Sequence, residues 1–87
     1  MKIKKGFIVR KVGEENIAVP VGERGKSFHG MIKLNNTGNF LWNFFLKDHT
    51  EEEATEALLE AYEVTRETAE KDVAAFVRTL TENGFAQ

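Results

Sequence analysis

The chain has 87 residues, a net charge of −2, a single proline and no cysteine. That length is expected to form one domain, residues 1–87, with an adequate but modest core, and the lack of thiols excludes disulfides, thiolate zinc sites and iron–sulfur ligation. No apolar run approaches the ~18 residues of a membrane helix, and no long apolar core follows the basic start of the chain, so the expected location is cytoplasmic, with no membrane contact.

Charge is laid out unevenly. Through Lys33, eight basic residues stand against three acidic ones; from Leu34 onward, four stand against eleven. The first third is therefore basic at +5 and the remainder acidic at −7, an asymmetry that bears on partners.

The first half has the composition of strands. "FIVRKV" (7–12) is rich in β-branched and aromatic residues, "GEEN" (13–16) supplies a hairpin loop, and "IAVPV" (17–21) returns as a second strand. Pro20 cannot donate to a ladder, so the second strand is either an edge there or ends there. "GERGKSFHG" (22–30) is a polar, glycine-rich loop, and "MIKL" (31–34) is a third strand with Met31 and Lys33 on one face and Ile32 and Leu34 on the other.

Three helices follow. Asn35 or Asn36 can cap the first, expected from about Thr37 to Lys47, because an Asn side chain accepts from the free N–H groups of an opening turn. Phe40, Leu41, Trp42, Phe44, Phe45 and Leu46 leave only Asn39, Asn43 and Lys47 polar, the signature of a helix buried on several sides. Thr50 and Glu53 have capping-box spacing at the start of the second helix, whose inner face is expected at Ala54, Ala57, Leu58, Ala61 and Tyr62. Thr65 caps the third, with Val64 and Ala69 spaced as a hydrophobic staple. Its stripe is Ala69, Val73, Phe76, Val77 and Leu80, and Gly84 stands where a left-handed C-terminal residue belongs.

Strands first and helices after predict an α+β fold, a three-stranded antiparallel sheet followed by three helices. The last two helices, joined by a tight turn beside a small sheet, predict a winged helix-turn-helix.

Catalytic constellations are missing. His29 and His49 lie in predicted loops with no shared spacing, and without cysteine only carboxylates could complete a metal site, so no metal or other cofactor is expected. Ser27 and His29 are close in sequence, but a nucleophile also requires an oriented base and an oxyanion hole. "GERGKS" lacks the spacing of a phosphate loop. Glu52, Glu53, Glu56 and Glu60 recur on one helical face, either a solvated surface or a dock for a basic partner. Trp42 and Phe45 fit a core, or an aromatic patch that docks a larger enzyme.

A winged helix invites a second reading, a DNA-binding transcriptional regulator. Charge opposes it. The third helix carries Arg66, Lys71 and Arg78 against Glu67, Glu70, Asp72 and Glu82, and the second carries five glutamates and no base. Phosphate contacts supply most non-specific affinity, and these helices would repel a nucleic-acid backbone.

The residues resemble a known family. Leu34-Asn35-x-Thr37-Gly38, the Leu41-Trp42 pair, Asp72-Val73 and Leu80-x-x-x-Gly84-Phe85 are similar to the pattern of the PqqD family, over about Phe7 to Phe85. The Asn-x-Thr-Gly hinge before an aromatic helix is its most distinctive part; Asn36 departs from the acidic residue often found at that position. The resemblance implies a RiPP recognition element, a peptide chaperone without catalytic residues. Such a domain binds the leader of a ribosomally made precursor peptide and presents it to a modifying enzyme, by family analogy a radical-SAM enzyme.

It also implies that the leader adds as a strand beside the third strand, next to the third helix. The expected peptide-binding residues are Gly30, Met31, Ile32, Lys33 and Leu34 on the edge, with Asp72, Phe76 and Thr79 on the helix. An open edge presents unpaired N–H and C=O groups that an extended guest can complete. Lys33 and the basic first third favour a leader rich in Asp and Glu. The same open edge permits self-pairing, so both a monomer and a homodimer are compatible with the sequence.

Overall fold

The computed structural model describes residues 1–22 and 30–86. Ser27, His29 and most of the glycine-rich loop lie outside the described residues.

Strand β1 (Phe7–Val12) and strand β2 (Glu15–Pro20) pair antiparallel from Phe7 opposite Pro20 to Val12 opposite Glu15. Strand β3 (Ile32–Leu34) joins the other side of β2, giving the order β1-β2-β3. The hairpin loop is two residues, not the four of "GEEN": Gly13, at φ +64°, reverses the chain at once, so Glu15 and Asn16 already pair with Val12 and Lys11. The second strand starts earlier than expected and ends at Pro20.

The backbone accounts for that proline. The N–H of Val21 donates to the carbonyl of Gly6 at 2.8 Å, so in β2 the odd residues turn their backbone groups toward β1 and the even ones toward β3. Pro20 thus faces the β3 side, but β3 ends at Ile32, opposite Ala18. No ladder bond is lost there.

Helix α1 (Asn36–Phe44) is capped by Asn35, whose side chain accepts from the N–H of Gly38 at 2.7 Å. It stops three residues short of the expected Lys47. The carbonyl of Phe45 accepts the N–H of Ile3 at 2.9 Å, which takes an acceptor that another helical turn would use. Helix α2 (Glu51–Ala61) opens with the full Thr50–Glu53 capping box. Its inner face is Ala54, Thr55 and Leu58; Ala61 and Tyr62 are exposed, because the chain leaves the helix in extended conformation at Tyr62. Thr55, buried, satisfies its hydroxyl by donating to the Glu51 carbonyl at 3.0 Å.

Helix α3 (Arg66–Glu82) is capped by Thr65 and closed by Gly84 at φ +78°. The Phe85 N–H reaches the Leu80 carbonyl at 2.8 Å and the Gly84 N–H the Thr81 carbonyl at 3.2 Å, a Schellman closure that turns Phe85 inward. Phe85 is fully buried, 4.3 Å from the ring of Phe7 and 5.9 Å from that of Trp42 between ring centroids. Trp42 and Phe45, 2% and 0% exposed, are core. The reading in which their rings dock an enzyme is overturned: neither reaches the surface.

One piece was not foreseen. The first residues close against the end of the chain through an isolated antiparallel bridge, with Ile3 opposite Ala86 and the N–H of Lys4 bonded to the Phe85 carbonyl at 2.9 Å. Ile3 is buried beneath it. The whole is the predicted α+β winged helix-turn-helix, with α2 and α3 as the helical pair.

Candidate functional site

Among the described residues nothing pairs with the outer side of β3, and that side faces a groove. Because even residues of β2 address β3, the hydrogen-bonded pairs are Ala18 with Ile32 and Asn16 with Leu34. Ile17 and Lys33 are the pair between them, so the N–H and C=O of Lys33 point away from the sheet. One residue therefore holds out both a donor and an acceptor along the open edge.

Side chains alternate about that edge. Ile32 and Leu34 turn inward, Leu34 buried and Ile32 half-buried against the core. Lys33 turns to the outer face, where its ammonium lies 3.0 Å from the Glu15 carboxylate on β2. Both partners are largely exposed, so the pair is weak and easily exchanged.

Across from β3, α3 presents Asp72, Ala75, Phe76 and Thr79, spaced to lie on one helical face. Between strand and helix is a groove of about 420 Å³, floored by Leu34, Gly38 and Leu41 and closed at one side by Asn35 and Thr37. That volume is within the ~300–1,000 Å³ of typical ligand sites. Ile32, Leu41 and Phe76 give the groove an apolar part, while Asn35, Thr37, Asp72 and Thr79 make the rest of its lining polar. The Thr79 hydroxyl donates to the Ala75 carbonyl at 3.0 Å.

Of the eight residues the sequence nominates, Ile32, Lys33, Leu34, Asp72, Phe76 and Thr79 line this one groove. Gly30 and Met31 do not; they precede the strand, and Met31 is 67% exposed. Asn35, Thr37, Gly38, Leu41 and Ala75 also line it and are not among those eight. Ala75 is legible from helical spacing, standing between Asp72 and Thr79 on the same face, whereas Thr37 and Gly38 enter through the turn made by the Asn35 cap.

Elsewhere, α2 and the residues before it enclose a second depression, with Phe44, His49, Glu52, Glu53, Glu56 and Glu60 among its walls. His49 stacks on Phe44 at 4.0 Å between centroids. Its Nδ1 is 3.4 Å from a Glu53 oxygen. The Thr50 N–H and His49 together hold the Glu53 carboxyl below the ordinary range, against the opposing effect of burial. Among the described residues no three His, Asp or Glu converge as metal ligands, and no helix is long and apolar enough to cross a membrane.

The fold has solved counterparts. A solved structure described as TbiB1 in complex with the TbiA(beta) leader peptide matches with a TM-score of 0.73 at 24% identity, covering 98% of this chain and 93% of that one. A second, a lasso peptide synthetase B1 complexed with the leader peptide, matches with a TM-score of 0.73 at 28% identity, covering 99% and 95%. No curated protein matches the sequence. The sequence model of the family described as coenzyme PQQ synthesis protein D (PqqD) matches residues 17–86, from the middle of the sheet to the closing turn after α3. The chain belongs to the PqqD family.

Proposed function

We propose that this protein is a RiPP recognition element that holds the leader of a ribosomally made precursor peptide as a fourth strand on β3. The observation that carries the reading is the outward N–H and C=O of Lys33 beside a partly apolar groove walled by α3. An extended guest satisfies those groups as one more ladder, and its alternate side chains enter the groove. Ile32, Lys33, Leu34, Asp72, Phe76 and Thr79 make the site, with Gly30 and Met31 continuing the edge. Family membership and two neighbours of the same fold, both described in complex with a leader peptide, support it.

In this reading residues 1–87 act as one cytoplasmic binding unit and perform no chemistry. A separate maturase, by family analogy a radical-SAM enzyme, modifies the presented peptide. The DNA-binding alternative has no comparable support: α2 exposes Glu51, Glu52, Glu53, Glu56 and Glu60, and α3 carries one more acidic residue than basic. Titration of isotope-labelled protein with the leader of a precursor encoded beside the gene tests the reading. Amide shifts are expected along 31–35 and 72–79 at micromolar peptide. Their absence at tens of micromolar, with a salt-sensitive gel shift on duplex DNA instead, would reverse it.

A further inference from the structure

We propose that the groove selects a leader segment in which one acidic residue stands between two large apolar residues, and that Lys33 reads the acid. The inference rests on the strand-addition reading and assigns the chemistry of the guest.

The register sets the pattern. A guest strand on β3 places one residue beside Lys33 and its two neighbours beside Ile32 and Leu34. The neighbours point inward, into the space bounded by Leu41 and Phe76, where apolar side chains are favoured. The middle residue points to the outer face, alongside the Lys33 ammonium. The outer face there is a row running Arg10, Ile17, Lys33 across β1, β2 and β3, so the guest's middle residue becomes its fourth member. Two of the three existing members are cations.

Glu15 already shows that a carboxylate suits this place. It sits on the same outer face, diagonal to Lys33, at 3.0 Å. A guest Asp or Glu directly beside Lys33 shares or replaces that contact, as cross-strand opposite charges do. The groove side has the contrary preference: Asp72 on α3 faces the inward positions and repels an acid there. Acid outside and apolar inside is therefore enforced from both walls.

A random peptide library displayed against the whole protein tests this. Wild-type protein should enrich peptides with an acidic residue between two large apolar ones. Lys33→Glu should move the middle position to Lys or Arg, and Lys33→Gln should remove the charge preference while keeping the apolar pair. For one enriched peptide, exchanging the middle acid for Lys should weaken binding roughly fivefold at low salt, with the gap narrowing as salt rises. Enrichment of apolar pairs with no charge preference, or with one that Lys33→Glu leaves unchanged, overturns the inference and leaves the groove reading intact. No enriched peptide at all, or enrichment that persists when Ala75→Arg fills the groove, overturns both.

Discussion

The side chain of Asn35 accepts the backbone N–H of Gly38 at 2.7 Å, and the same residue both follows β3 and caps α1. The open edge and the helix beneath the groove thus meet at one hydrogen bond. A Cβ on Gly38 would lie only 3.1 Å from that Asn35 oxygen and 3.5 Å from the Leu34 side chain, so the small residue keeps the turn close. Replacing Asn35 by Ala removes the cap, and we expect a loss of about 1 kcal/mol. Urea denaturation should show a lower midpoint with an unchanged slope; an unaltered midpoint would mean that water or Asn36 replaces the cap.

Ala75 separates binding from folding. It is exposed on α3 yet lines the groove, so Ala75→Arg should leave stability within about 0.5 kcal/mol. The long side chain should occupy the space meant for the guest and weaken leader binding by more than tenfold, an effect of at least ~1.4 kcal/mol. Calorimetric titration beside thermal melting checks both halves. Unchanged affinity would place the peptide elsewhere.

Acid should loosen the start of α2. The Glu53 carboxyl is held below its ordinary range, first by the Thr50 N–H. Between its folded and unfolded values the unfolded chain binds more protons, so stability rises with pH in that window. The contribution is present above the ordinary carboxylate pKa of about 4.3 and is lost as pH falls through the lowered folded value. Glu53→Gln keeps an acceptor but cannot titrate. A stability–pH curve below pH 5 should be flatter for this variant than for the wild type; parallel curves would contradict the assignment.

How much of this is legible in the sequence depends on how local the cause is. Thr50, Thr65 and Gly84 announce the helix ends because capping and left-handed closure need only a few neighbouring residues. The end of α1 is not legible in its own residues, because it depends on Ile3, some forty residues away, taking the Phe45 carbonyl. No periodicity within 36–47 carries that information. Likewise Tyr62 fits the apolar spacing of α2, but the chain is already extended there, and its ring instead meets Phe40 edge-on at 5.6 Å. For the groove, β3 and the exposed flank of α3 could be named from alternation and helical spacing. Their facing each other could not, nor could the outward direction of Lys33, which follows from the pairing of Val21 with Gly6 at the far end of β2.

Hydrogen exchange at a single amide tests the central claim most directly. The Ile32 and Leu34 N–H groups are turned to β2, while that of Lys33 is turned to the open edge. In free protein the Lys33 amide should exchange far faster than its two neighbours, and saturating leader peptide should slow it to their level. A Lys33 amide already protected in the free protein, or one whose exchange is untouched by bound peptide, would contradict strand addition at β3.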